Sequence, residues 1–313
     1  MTAEAKRAGA RPGVELAVGA MLLSAACWGL ATVMTKAALG GMPPFTLLVI
    51  QLAASVSFLW SAVAATRSLP CRHGRALRAA ATGLLEPGLA YGAGVPGLAL
   101  TTAANASIIG ATEPALVILV AWLLLRARPD PGLLVALLVA MVGVALVIGS
   151  DLHGLGHGDP CGDALVLLGT LFAAIYVVAS SRLVTHIAPL PLAALQQSVG
   201  LGAALTLLAS ALTLGVEQLP SAVTPGLGLL AVASGVVQYA LSFWFYLFGV
   251  KVLPVGVAGL FLTLIPVFGV GGATIFLGER VTPLQALGAV LILATLAVIA
   301  WRTRISARSG EPT

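Results

Sequence analysis

An all-α polytopic membrane protein, with ten transmembrane helices as two inverted five-helix repeats, is the fold class this sequence predicts. Three observations predict it. Of its 313 residues 59% are hydrophobic and only 9% charged, and the mean hydropathy is +1.06; a soluble domain carries about 25% charged residues. Ten apolar stretches of about 20 residues, each long enough to cross a bilayer as a helix, alternate with short polar turns. Polar and proline positions also recur between the two halves.

The stretches follow in order. A cytoplasmic tail over residues 1–13 carries Lys6, Arg7 and Arg11. Spans one to five are expected at 14–39, 45–65, 77–95, 103–125 and 132–149, making a first repeat over 14–149. The segment 150–160 is an outer loop rich in Gly and Pro. Spans six to ten are expected at 161–181, 190–214, 226–250, 256–277 and 283–301, making a second repeat over 161–301. A basic cytoplasmic tail, 302–313, follows. The first apolar stretch exceeds the 7–15 residues or so of a signal peptide's apolar region, so it is expected to be retained.

Charge sets the orientation. With the N-terminus cytoplasmic, fourteen of the sixteen Lys and Arg residues fall on the inner side, and only Lys36 and Arg280 on the outer. Basic residues of short loops stay inside, so both termini are expected in the cytoplasm of a multi-pass plasma-membrane protein. Because these residues lie in short loops, the pI of about 9.5 is no nucleic-acid footprint. The three cysteines, Cys27, Cys71 and Cys161, are too few and too scattered for a disulfide framework or a metal cluster.

The halves align. A shift of 152 brings Pro114 onto Pro266, Glu86 onto Gln238, and the turn at Pro131 onto that at Pro283. Nearer the front a shift of 146 pairs Lys36 with Arg182 and Gln51 with Gln197. An odd number of spans per half makes the two halves enter the membrane in opposite directions, with a site expected at the midplane between them.

Trp28-Gly29 and Lys36, the run from Ala99 to Pro114, and Pro266 followed by Leu277-Gly278-Glu279-Arg280, Pro283 and Gly288 resemble the EamA family of the drug/metabolite transporter superfamily. The resemblance spans about residues 16–301. It implies two inverted repeats around a central cavity and movement of small metabolites by alternating access. Three departures bear on the cavity. Gln51 stands where family members often have a basic residue, Arg126-Ala127-Arg128 replaces a Glu-bearing turn, and Glu113 is an added carboxylate.

Glu86 and Glu113 are the acids well inside a span. Such groups are costly in a bilayer and usually face a cavity or a partner. A carboxyl there can exchange a proton for a substrate, pair with a substrate ammonium, or serve only helix packing. Gln51, Gln197 and Gln238 can bind a ligand or bond between helices. Asn105 and Thr112 are seven apart and share a helix face. Trp28, Tyr91 and Tyr239 can wall a cavity or bind a cation. Pro114 and Pro266 are expected to be paired hinges. Asp151, His153, His157, Asp159 and Asp163 read as a solvated loop, since Gly154, Gly156 and Gly158 prevent a helix from fixing metal-ligand spacing.

No nucleophile, phosphate-loop, metal or cofactor motif is present, so the expectation is a transporter of a small amphipathic metabolite, such as an amino acid or a drug-like compound. Export, and coupling to protons through Glu86 or Glu113, are the expected mode. An integral-membrane enzyme and a channel are the alternatives. Small-residue faces are compatible with a homodimer.

Overall fold

The computed structural model describes residues 12–68, 73–100, 109–126, 130–148, 159–183, 187–277 and 282–309, and the regular structure among them is helical. The first half holds α1 (Pro12–Leu39), α2 (Pro44–Thr66), α3 (His73–Ala81), α4 (Ala90–Leu100), α5 (Glu113–Leu125) and α6 (Pro131–Ile148). The second holds α7 (Pro160–Leu183), α8 (Pro189–Thr213), α9 (Pro225–Gly235), α10 (Ser242–Val250), α11 (Val255–Phe261), α12 (Ile265–Leu277) and α13 (Pro283–Ser309). Proline opens α1, α2, α6, α7, α8, α9 and α13. In the first turn its missing N–H costs nothing and its fixed φ suits the helix. Arg67 and Arg126, both in the left-handed region at φ 51° and 53°, close α2 and α5. A cation there also complements the helix dipole.

Five stretches, Gly13–Leu39, Pro44–Thr66, Pro160–Leu183, Pro189–Thr213 and Pro225–Val250, are long and apolar enough to cross a membrane. Two others are composite. The expected span at 77–95 begins earlier, at His73, and runs to Leu100, but it is broken between α3 and α4 by a tight turn at Thr82–Leu84 and a wide one at Leu85–Leu89. The expected span at 256–277 is likewise interrupted between α11 and α12 by a tight turn at Leu262–Leu264. Residues 103–108, including Asn105, and the Gly278-Glu279-Arg280 motif lie outside the described residues, as do 151–158 of the outer loop.

The repeat is visible in the helix bounds. Shifted by 152, α5 superposes on α12 at both ends, α3 and α9 start together, and so do α6 and α13. The wide turns at Leu85–Leu89 and Val236–Leu241 also end together, the second starting one residue earlier. For the first two helices of each half, contacts set a shift of 145 rather than 146. Gly97 approaches Gly162 and Val166, while its equivalent Gly249 approaches Ala17 and Met21. The change of shift is absorbed by α8, two residues longer than α2 would place it, and by a longer α8–α9 loop.

Packing exchanges between halves in the same way. Helix α4 lies on α7 while α10 lies on α1; α5 lies on α7 while α12 lies on α1; α3 lies on α8 while α9 lies on α2. The pairs α2–α8 and α6–α13 cross between the halves. The core centres on Tyr176, Tyr246, Phe243, Phe261 and Met21, whereas Leu77, Leu123, Leu138, Leu229 and Ile275 stand exposed. An exterior this apolar belongs against lipid hydrocarbon.

Candidate functional site

The run Leu85-Glu86-Pro87-Gly88 builds the site. Proline disfavours the helical conformation in the residue before it, and Glu86 is extended, at φ −144° and ψ 125°, with a cis peptide to Pro87. The helix therefore stops and restarts around a carboxylate that is only 8% exposed. Helix α8 fits tightly against the break because glycine occupies both faces. A Cβ at Gly83 would meet the Gln196 carbonyl oxygen at 1.9 Å, and one at Gly200 would meet Pro87 Cγ at 2.3 Å.

Around Glu86 the structure gathers aromatic rings from α1, α4, α7, the wide turn at Val236–Leu241 and α10. Trp28 of α1 meets Phe243 edge-on with centroids 5.1 Å apart and Tyr246 at 5.5 Å. Tyr91 of α4 meets Tyr239 at 5.2 Å. Tyr176 of α7 meets Phe243 at 5.7 Å, and Tyr239 stacks on Phe243 at 6.4 Å. Gln238, on the second half's wide turn, donates from Nε2 to the Tyr91 hydroxyl at 3.2 Å. Its Oε1 and the Tyr246 hydroxyl are buried without a partner in the protein. Glu86 lies within electrostatic reach of the hydroxyls of Tyr91, Tyr176, Tyr239 and Tyr246, and half-buried Glu113 within reach of Glu86, Tyr91 and Tyr246.

Six of the expected site residues thus converge: Glu86, Glu113, Trp28, Tyr91, Gln238 and Tyr239. Others stand apart. Gln51 is buried, and its Nε2 donates to Thr35 Oγ1 and to Ser234 Oγ, both at 2.9 Å. Its equivalent is Gln196 and not Gln197. Gln196 Nε2 donates to Ser180 Oγ at 3.0 Å and Thr82 Oγ1 at 2.7 Å, and its Oε1 accepts from Tyr176 at 2.9 Å. Thr35 matches Ser180 at 145 and Thr82 matches Ser234 at 152, so one hydrogen-bonded knot is built twice. Gln197 is fully buried with both amide atoms unpaired in the protein. Pro114 and Pro266 each sit second in their helices, α5 and α12, directly after a non-α turn.

Sequence reasoning missed Phe243 and Tyr246, although Tyr239, Phe243 and Tyr246 fall at i, i+4 and i+7 and therefore share a face. Glu217 was also missed. This loop carboxylate of the second half caps α2 of the first. Its Oε2 accepts from Phe45 N at 2.9 Å, and its Oε1 from Thr46 N at 2.8 Å and Thr46 Oγ1 at 2.7 Å. Negative charge is favourable at a helix N-terminus. Beside this cap a cavity of about 460 Å³ lies between the Leu39–Pro44 turn and Pro220–Ala222, and none of the aromatic residues lines it. Just before α7, Asp159 accepts from Cys161 N at 2.8 Å, which caps that helix.

A duplicated helical scaffold with an apolar exterior and a polar centre is a multi-pass membrane protein. A family model described as the EamA-like transporter family matches residues 15–149 and again 160–301. The chain belongs to that family of membrane transporters. A solved structure described only as "Crystal structure of protein" is similar at TM-score 0.75 and 20% identity, over 95% of this chain and 98% of its own. At that identity the likeness concerns the fold. No curated protein matches the chain.

Proposed function

We propose that the protein is a secondary transporter that exports a small amphipathic metabolite across the cytoplasmic membrane by alternating access. It crosses the membrane ten times as two inverted five-helix repeats, with both termini in the cytoplasm and the site between the repeats. The observation that carries this reading is the pair of equivalent mid-span irregularities, Leu85–Leu89 with Glu86 and Val236–Leu241 with Gln238. Discontinuous helices at equivalent places in two repeats are how carriers build a midplane site.

Glu86 and Glu113 are the groups through which protons couple to substrate. Pro114 and Pro266 are the hinges, at the junctions where a tight turn gives way to α-helix. Proteoliposome counterflow with a metabolite panel, run at two pH values, tests both parts. Saturable exchange of one compound, with a rate that changes with pH, is the expected result. Non-saturating conductance identifies a channel instead and overturns the carrier reading.

A further inference from the structure

The geometry points to an organic cation bearing N–H groups beside an aromatic or aliphatic body as the substrate class of the central site, a step that rests on the transporter reading above. Four observations carry it. The centre is aromatic: Trp28, Tyr91, Tyr176, Tyr239, Phe243 and Tyr246 form one connected cluster of ring contacts with centroid spacings of 5.1–6.4 Å. Ring faces attract a cation and repel an anion. Two carboxyl groups, Glu86 at the break between α3 and α4 and Glu113 at the start of α5, both lie within electrostatic reach of the Tyr91 and Tyr246 hydroxyls.

The third observation is unmet hydrogen-bonding capacity, in which Gln238 Oε1 can only accept while the Tyr246 hydroxyl can accept or donate. Gln238 Oε1 is buried with no donor to satisfy it, and the buried Tyr246 hydroxyl has no partner. A buried acceptor left unpaired is costly, and a ligand that brings N–H donors removes that cost. The amide's own donor is already used on Tyr91, so what Gln238 offers a ligand is its carbonyl oxygen. The fourth is the placement of positive charge. Among the described residues, Arg67 and Arg126 cap helices, Arg78 and Arg182 lie in last turns, and Lys251 follows α10. None of these five stands in the aromatic cluster, so none of them offers a substrate carboxylate a partner there. A free amino acid, which carries both charges, fits this chemistry worse than its decarboxylated amine.

The test compares head groups on one body. Purified protein in nanodiscs is titrated with phenethylammonium, with the zwitterion phenylalanine, with the anion 3-phenylpropionate and with N,N,N-trimethylphenethylammonium, while quenching of intrinsic tryptophan fluorescence is followed. Phenethylammonium is expected to bind at least ten-fold more tightly than the zwitterion and the anion. The trimethyl compound falls between, because it keeps the charge and loses the donors. Trp28→Phe should remove most of the quenching, and Glu86→Gln should weaken phenethylammonium at least ten-fold.

Equal or tighter binding of the zwitterion or the anion overturns the proposal, as does unchanged amine affinity in folded Glu86→Gln. If that variant fails to fold, the head-group ranking in the unmodified protein decides by itself. Counterflow separates this proposal from the one beneath it. Amine binding without exchange refutes the carrier and leaves the cation site standing. Exchange of a zwitterion or an anion with no amine binding refutes the cation site and leaves the carrier.

Discussion

Adding one methyl group at Gly83 should damage this protein more than adding it at the equivalent Gly235. A Cβ at Gly83 would lie 1.9 Å from the Gln196 carbonyl oxygen, and one at Gly235 would lie 2.4 Å from that of Gln51. Contacts of a Cβ under 3.0 Å are essentially never seen. The facing helices must therefore part by more than 1 Å at Gly83 and by about half that at Gly235. Overpacking of this kind costs about 1–3 kcal/mol. Parting the helices at Gly83 also stretches the Gln196 knot, whose interhelical hydrogen bonds are each worth about 0.6 kcal/mol in a membrane. Gly235 ends a regular helix, so replacement by Ala there recovers up to about 1 kcal/mol of helix propensity, whereas Gly83 lies in a tight turn and recovers less. The expected losses are about 3 kcal/mol for Gly83→Ala and about 1 kcal/mol for Gly235→Ala. Reversible unfolding in mixed detergent micelles measures both. Adding Gln196→Ala should not rescue Gly83→Ala, because the obstructing atoms are backbone. A Gly83→Ala protein within about 0.5 kcal/mol of wild type, the range of an ordinary surface change, refutes the reasoning.

Four further outcomes are expected. Glu113→Gln should slow counterflow and flatten its dependence on pH, read in proteoliposomes at two pH values; unchanged transport and pH dependence would remove Glu113 from coupling. Glu217→Ala strips three hydrogen bonds from the start of α2 and should cost about 1–2 kcal/mol, as loss of a helix cap does, measured by the same unfolding titration. Gln51→Leu and Gln196→Leu break equivalent knots and should destabilise the protein, with Gln196→Leu the worse because it also strands the Tyr176 hydroxyl. Gln197→Leu removes two buried amide atoms that have no partner, so it should leave stability unchanged or raised by about 1 kcal/mol; a drop in counterflow from that variant would make Gln197 a ligand contact.

The helical class, the two-repeat layout and the position of the carboxylates were legible because they depend on composition and on residues whose cost in a membrane is high. Glu86 stood out as an acid inside an apolar run, and its match to Gln238 falls where the structure has two equivalent wide turns. The break itself was encoded in Glu86-Pro87-Gly88, yet the smooth hydropathy on either side masked it. The front register was one residue off because Gln196 and Gln197 are adjacent and identical in kind. Which of them bonds across helices depends on where Ser180 and Thr82 stand, a question of three dimensions. Phe243 and Tyr246 were overlooked because an aromatic residue in an apolar helix carries no local signal of what it faces. Glu217 sits in a loop where an acid is ordinary, and its value comes from the distant helix end it meets.

The two glutamine knots tie together residues from both halves. Each glutamine takes one partner from its own repeat, Thr35 or Ser180, and one from the other, Ser234 or Thr82. Neither half can therefore complete its own interior. Expressed alone, residues 1–149 would expose the face that Gln51 offers to Ser234, and Thr82 would lack the amide it receives. A second copy of the same half, inserted upside down, would bring its Thr82 to the first copy's Gln51 and receive the same in return. Each half holds what an antiparallel twin would need, so the segment between α6 and α7 joins two mutually dependent modules. Cutting it should leave fragments that still find each other within the bilayer.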